Sequence, residues 1–265
     1  MKKHHPILGL ILTLTALCIL LPAIVLTVWS FVGRWPWPGL LPETLTSRTW
    51  KELLFGSASL PKLLLSSISL GGMVAFLGTV IGLLTARATE FYDFPGKRLV
   101  RFGSYLPLLI PGTVFAMGIQ VVFIRLGLTD TLPGVVLIHL ISALPYCITI
   151  MTDMTRAVGN RLEQQALVLG APPLQAFLTG SLPGLLPGIL SSVSMAFVIS
   201  YSQFFTTLII GGGRVRTIAL VLIPYIQSGD RALASAYSVA FVGSALLVFF
   251  LFEGLIHKLE KGERK

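Results

Sequence analysis

Six apolar stretches recur along the chain with polar breaks between them: Ile7–Val32, Leu63–Ala86, Leu106–Ile124, Leu132–Thr152, Pro183–Ile210 and Leu233–Ile256. A bilayer core about 30 Å thick is crossed by about 20 apolar residues in helical form, and each stretch meets that length. A backbone in hydrocarbon finds no water to bond. The helix, which closes its own N–H and C=O groups, is therefore the conformation expected of each. The fold class that follows is all-α, a polytopic membrane protein with six transmembrane helices.

Composition agrees. Only 12% of the 265 residues are charged and 54% are hydrophobic, whereas a soluble domain carries roughly 25% charged residues. So few charges cannot coat a globule of this size, and the lipid bilayer is the first expected partner. The net charge of +9 does not mark a nucleic-acid binder. The basic residues sit at the ends of apolar runs, as anchors to an anionic leaflet do, and form no stripe or aromatic platform. Cys18 and Cys147 both lie inside apolar runs without neighbours at disulfide or metal-ligand spacing, so neither a metal nor a cofactor is expected in this chain. The apolar run from Ile7 exceeds the roughly 7–15 residues of a signal-peptide core, which predicts a retained first helix.

An even number of spans puts both termini on one side, together with the segment from Asp153 to Leu182. The positive-inside rule selects that side. N-in, C-in places Lys2, Lys3, Arg87, Lys97, Arg98, Arg101, Arg156, Arg161 and the C-terminal lysines in the cytoplasm, and a minority of the basic residues outside. The chain then divides into an N-terminal transmembrane helix with external loop (1–62), the main transmembrane domain (63–257) and a basic cytoplasmic tail (258–265). In the first outer segment, Gly33–Lys62, Arg34-Trp35-Pro36-Trp37-Pro38 reads as an interfacial aromatic belt whose prolines stop the helix. A short helix is expected around Thr49–Phe55. The segment serves equally well as a connector or as a docking surface.

The segment between the fourth and fifth spans reads as helix, break, helix. Glu163 to Leu169 are good helix formers. Gly170 suits the left-handed position after a helix end, and Pro172 or Pro173 suits the first turn of the next helix. Ala166, Leu169 and Phe177 are expected to form a small apolar face on an otherwise polar loop.

This segment resembles the signature of the transmembrane subunits of ABC importers: Glu-Ala-Ala, then a Gly, then Leu-Pro and a second Pro at set distances. Here Gly170, Leu182-Pro183 and Pro187-Gly188-Ile189 stand in step, while the Glu-Ala-Ala positions fall on Gln164-Gln165-Ala166 and the acid sits one place earlier at Glu163. The likeness extends from about Lys62 to Ile256, through Tyr105-Leu106-Pro107-Leu108-Leu109-Ile110-Pro111-Gly112 and through Gly211–Ala240. Within that family it resembles the polyamine, thiamine, iron and sulfate-type permeases. The resemblance implies that residues 63–257 form the importer's transmembrane domain. It also implies a coupling helix carried by Glu163, Gln164, Ala166, Leu169, Gly170 and Ala171, docked on a cytoplasmic ABC ATPase dimer that binds the ATP and Mg. A second permease copy or a homologous permease and an extracytoplasmic solute-binding protein complete the implied complex. The outer loops near Gly33–Lys62 and Gly211–Arg231 would face the binding protein, with Arg214, Arg216 and Arg231 meeting acidic groups on it.

No Gly-x-x-x-x-Gly-Lys-Ser/Thr motif occurs, so nucleotide hydrolysis belongs to another chain and this one is not an enzyme. Ionisable residues within the spans are scarce. His139 stands alone in the fourth and Glu253 lies near the end of the sixth, where snorkelling explains it. The pathway candidates are Ser200, Ser202, Gln203, Thr206 and His139. Ser and Thr also join helices by hydrogen bonds, and both readings stand. Gly78-x-x-x-Gly82 fits packing within the chain or a dimer seam. The competing function is an ATPase-independent channel or secondary transporter, or a membrane-embedded enzyme. Ser142 beside His139 is the only near pair of suitable type for the latter.

Overall fold

The computed structural model describes residues 6–35, 39, 42–56 and 59–263. Its elements in chain order are α1 (Pro6–Trp29), β1 (Val32–Arg34), β2 (Thr44–Leu45), α2 (Arg48–Phe55), α3 (Leu60–Phe91), α4 (Lys97–Leu109), α5 (Gly112–Arg125) and α6 (Leu132–Val158). They continue with α7 (Arg161–Val168), α8 (Pro173–Ala176), a π-helical turn (Phe177–Ser181), α9 (Leu182–Tyr201), α10 (Phe205–Gly211), α11 (Ile218–Ser228) and α12 (Arg231–Glu263).

Five of these are long and apolar enough to cross a membrane: the first helix, α3, α6, α8–α9 taken together, and α12. The expected third span differs. Its sequence folds as α4 and α5, two helices meeting at 112°. Pro111 is the cause. A proline pushes the residue before it out of the helical region, and Ile110 is extended at φ −104°, ψ 130°. The expected fifth span also stops early, at Tyr201. The hydroxyls of Ser202 and Thr207 take the carbonyls of Ile199 and Gln203, which offers the backbone an alternative to the helix ladder. Between Gly211 and Arg231, where a loop was expected, α11 forms. At 11 residues it spans about 16 Å, too short to cross. Helix α12 runs through Lys258 to Glu263, so residues 258–263 of the expected tail continue the last helix.

Backbone proximity divides the chain into two units. The first comprises Met1–Leu64 with Val221–Ser244. In it, no residue in the most apolar stretch of α1 is buried, and Cys18 is exposed. Beyond α1, Trp35 stacks on Trp29 at 4.6 Å, β1 and β2 pair antiparallel, and Trp50 donates to the Ser30 hydroxyl at 3.1 Å. The expected helix around Thr49–Phe55 is α2. Of the aromatic belt, Pro36, Trp37 and Pro38 lie outside the described residues. Arg231, expected to meet a partner, lies over the Trp29 ring at 5.4 Å.

The second unit comprises Leu65–Leu220 with Ala245–Lys265 and is built on α3, α6 and α9. Small residues let the backbones close in, as is usual where hydrophobic exclusion cannot drive helices together. A Cβ on Gly82 would lie 2.9 Å from the Cys147 carbonyl carbon, and one on Gly78 would lie 3.1 Å from the Cys147 sulfur. This pair of glycines therefore serves packing within the chain. On the other flank of α6, a Cβ on Gly188 would lie 2.5 Å from Met154. Thr79 and Ser192 share a buried hydrogen bond of 3.0 Å. At one end of this trio Ala86, Met151 and Leu185 are fully buried, with Phe177, Val158 and Ile189 packed on them.

Candidate functional site

The expected helix–break–helix is present, and its geometry follows from the residues. Helix α7 ends at Val168, and Gly170 takes the left-handed conformation at φ +88°. The Ala171 N–H donates to the Ala166 carbonyl and the Gly170 N–H to the Leu167 carbonyl, both at 3.0 Å. These two bonds make a Schellman close, which satisfies carbonyls the helix end would otherwise orphan. Pro173 opens α8 at its first position, where its missing N–H is harmless. No atom lies within 4 Å of the place a Gly170 Cβ would take, so backbone conformation alone calls for glycine there.

Glu163 does not face outward. Its carboxylate accepts two hydrogen bonds from Arg87 Nη2, at 2.7 and 3.0 Å, and a third from the Ser181 hydroxyl at 2.6 Å. Only 15% of the Glu163 side chain is exposed. The Arg87 guanidinium also lies 4.7 Å over the Phe177 ring and 5.5 Å over Phe91. Burial alone pushes the Glu163 carboxyl up. The Arg87 and Ser181 hydrogen bonds and the Arg87 charge more than offset that, and hold it below its ordinary value. Gly180 completes the seat, since a Cβ there would lie 2.9 Å from the Glu163 nitrogen.

Phe177 is thus packed inward and is no part of a presented face. The most exposed apolar groups of the segment are Val168 at 87%, Leu169 at 88% and Leu174 at 70% exposure. Gln164 and Gln165 are exposed, and Ala166 and Ala171 are partly covered. An open groove of about 880 Å³ runs along α7 between Val158, Arg161, Leu162, Gln164, Gln165, Val168 and Leu169. A second ion-pair group stands at the same end of the unit. Glu90 accepts from Arg101 at 3.0 Å and from Arg156 at 3.0 and 3.2 Å, which ties α3 to α4 and α6.

The intramembrane candidates separate into two sets. His139 is fully buried, with Nδ1 2.9 Å from the Ser200 hydroxyl and Nε2 2.9 Å from that of Thr207. Thr207 also donates to the Gln203 carbonyl at 2.8 Å, and Thr206 to Gln203 Oε1 at 2.9 Å. His139, Ser200 and Thr207 therefore join α6 to the α9–α10 break, while Thr206 bonds within the break to Gln203. Ser202 is exposed and Gln203 half-buried at the break itself. Ser142 donates to the Ile138 carbonyl and does not pair with His139. Thr207, which completes the cluster, belongs to the polar run from Ser200 to Thr207 that marks the fifth span in the sequence, and the structure makes it the second partner of His139.

Five long apolar helices and a bent pair define a multi-pass α-helical membrane protein. Residues 78–265 match the family described as binding-protein-dependent transport system inner membrane component, and the chain belongs to that family, the permeases of ABC importers. It is accordingly an inner-membrane protein. Among its relatives, the trehalose transport system permease protein SugB of Mycobacterium tuberculosis is 28% identical over 173 residues, or 64% of this chain and 61% of that one. The spermidine/putrescine transport system permease protein PotC of Haemophilus influenzae is 24% identical over 212 residues, 80% of this chain and 82% of that one. The sulfate transport system permease protein CysT of Salmonella typhimurium is 26% identical over 186 residues, 64% of this chain and 67% of that one. The match thus spans less than two thirds of SugB. In fold, the chain is similar to a chain in the crystal structure of a bacterial ABC transporter involved in the import of the acidic polysaccharide alginate. The TM-score is 0.68 at 17% identity, covering 96% of this chain and 98% of that one.

Proposed function

We propose that this permease is oriented N-in, C-in and forms half of the translocation pathway. In this reading it couples a separate cytoplasmic ATPase to uptake of a small solute delivered by an extracytoplasmic binding protein. The supporting observation is the α7–α8 segment, which is closed by backbone bonds, held by Glu163 at its start and apolar at its exposed tip. Val168 and Leu169 lie outside the five long apolar helices and Leu174 stands at the very start of α8–α9, so lipid does not account for the exposed tip. A protein groove does, because burying a Leu side chain stabilises by about 1.5–3 kcal/mol. Gln164 and Gln165 supply uncharged hydrogen bonding at the rim. Glu163 positions the segment, and its charge is spent within the chain. Gly170 and Ala171 form the turn, and Ala166 is a small face against the ATPase. ATP and Mg are bound by that partner, and a second permease supplies the other half of the pathway.

Ser202 and Gln203, reachable at the α9–α10 break, are the better pathway-lining candidates. His139, Ser200 and Thr206 shape the break from behind. The domain reading places the importer-type transmembrane domain at 63–257, with the first helix and its loop added in front.

The test is purification of the chain with its neighbouring-gene ATPase. Wild type is expected to retain a nucleotide-hydrolysing subunit, and Leu169→Asp to lose it while still inserting in the membrane. Labelling of the α7–α8 segment from the outer face, or a complex with no ATPase, would overturn the proposal.

A further inference from the structure

Helix α3 is gripped at both ends by segments distant in sequence. At one end Arg87 holds Glu163, 76 residues away, with Ser181 on the same carboxylate. At the other, the Ser66 hydroxyl donates to the Arg216 carbonyl and the Ile218 N–H donates to the Ser67 hydroxyl, each at 2.8 Å. Between Ser67 and Arg87 the helix is unbroken and about 30 Å long. Along that length it is seated on α6 and α9 by Gly82 against Cys147 and by the Thr79–Ser192 bond. A rod so seated cannot bend locally to absorb a displacement at one end.

The two grips differ in kind, which suits them to different tasks. At the Arg87 end a charge-assisted cluster stands against the Phe91 and Phe177 rings. Hydrogen bonds to a charged group are worth about twice neutral ones. At the Ser66 and Ser67 end the bonds are to backbone groups of 216 and 218. They register the path of the chain between α10 and α11 rather than any particular side chain there.

We propose that α3 is the strut through which the Gly211–Ile218 segment and the docked α7 exchange free energy. Arg87 is the positioning residue at one end, and Ser66 and Ser67 are the positioning residues at the other. This rests on the docking reading of α7 above and on the opposite face of the protein meeting the binding protein. Engagement of that protein shifts the 211–218 backbone, α3 carries the shift, and the Arg87–Glu163 grip delivers it to the ATPase.

The experiment uses the assembled importer in proteoliposomes, comprising this permease, its ATPase and its binding protein. It reads the ratio of binding-protein-stimulated to basal ATP hydrolysis alongside the yield of intact complex. Arg87→Gln is expected to lower that ratio about tenfold, within the range of allosteric couplings, in complexes recovered at normal yield. Ser67→Ala is expected to lower it less, and Arg87→Lys to retain part of it, since lysine keeps the charge without the planar fork. The double variant Arg87→Gln, Ser67→Ala is expected to be no worse than Arg87→Gln alone, because the route is already cut. A ratio unchanged in either single variant, or a double variant showing the product of the two losses, overturns the strut. If Arg87→Gln does not assemble, the distant Ser66→Ala and Ser67→Ala variants decide, and full stimulation in both refutes the proposal. Failure of the docking reading looks different, because wild-type permease would then recover no ATPase at all.

Discussion

The chain interrupts its helices at two informative places, and the two breaks handle their polar groups in opposite ways. At the α9–α10 break the polar groups turn inward on one another. His139, Ser200, Thr207 and the Gln203 carbonyl close a set of hydrogen bonds around the buried imidazole, and only Ser202 and the Gln203 side chain are left at its edge. At α7–α8 a comparable set, Arg87 with Glu163 and Ser181, closes only one end. The far end is left with Val168, Leu169 and Leu174 in the open. A closed break is a fixture. A half-closed one is a fixture with unused binding capacity, and that asymmetry is what marks α7–α8 as the docking end.

The half-closed break is most vulnerable at Gly170. Pro cannot take φ +88° and lacks the N–H that reaches Leu167. Gly170→Pro should therefore cost about 3 kcal/mol locally and abolish uptake, with membrane insertion unchanged on immunoblots of membrane fractions. Normal uptake by the well-expressed variant would erase the distinction between the two breaks. Next in size, Val168→Asp should weaken ATPase retention about tenfold or more in pull-downs, as expected when an apolar contact is replaced by a buried charge, and leave thermal stability alone.

Within the intramembrane break, Ser200→Ala strands one nitrogen of His139. It should cost about 1–3 kcal/mol, the penalty of an unsatisfied buried group, seen as a lower unfolding midpoint in detergent with solute preference unaltered. Ser202→Ala should do the reverse, with negligible loss of stability and a change in uptake. Equal effects on stability would merge the two sets of candidates.

A subtler prediction concerns acid. The Glu163 carboxyl is held below its ordinary value near 4.5, so its contribution is complete above that value and is lost as pH falls through the lower, folded one. Hydrogen–deuterium exchange of α7 should be insensitive to pH apart from the intrinsic rate until the medium passes below 4.5. Glu163→Gln should remove the acid-induced loosening. Smallest of all is Asp93→Asn. It breaks a surface pair between the fully exposed Asp93 and the partly covered Lys97, and surface pairs of this kind contribute little, so growth and uptake should be indistinguishable from wild type.

What the sequence disclosed and what it withheld follow from range. Apolar runs, the Gly170 turn and Pro173 at the start of α8 are properties of a few adjacent residues, and the structure realises them as read except in the third and fifth runs, which break at Pro111 and after Tyr201. Pro111 is local too, but a proline can open a helix or break one. Only packing of α4 and α5 settled it as a 112° bend. Phe177 and Glu163 were legible as residue types and illegible in direction. The partner that turns both inward, Arg87, lies on another helix, and no spacing rule connects Arg87 with Glu163. The α11 helix went unseen because the stretch reads as polar-flanked and too short to span. The His139 cluster showed its donors in sequence, whereas their mutual satisfaction needed α6 and α9–α10 to be side by side.

The placement of the two thiols has a practical outcome. Sulfur reacts with maleimides as the hydrated thiolate. Cys147 is sealed beneath Gly78 and Gly82, and Cys18 sits midway along α1, the helix most fully surrendered to hydrocarbon. To a water-borne probe the native chain is therefore chemically silent. Any single engineered cysteine, at Val168 for instance, reports its own accessibility against an empty background, and the sidedness of each loop can be mapped without first stripping the protein of its natural residues.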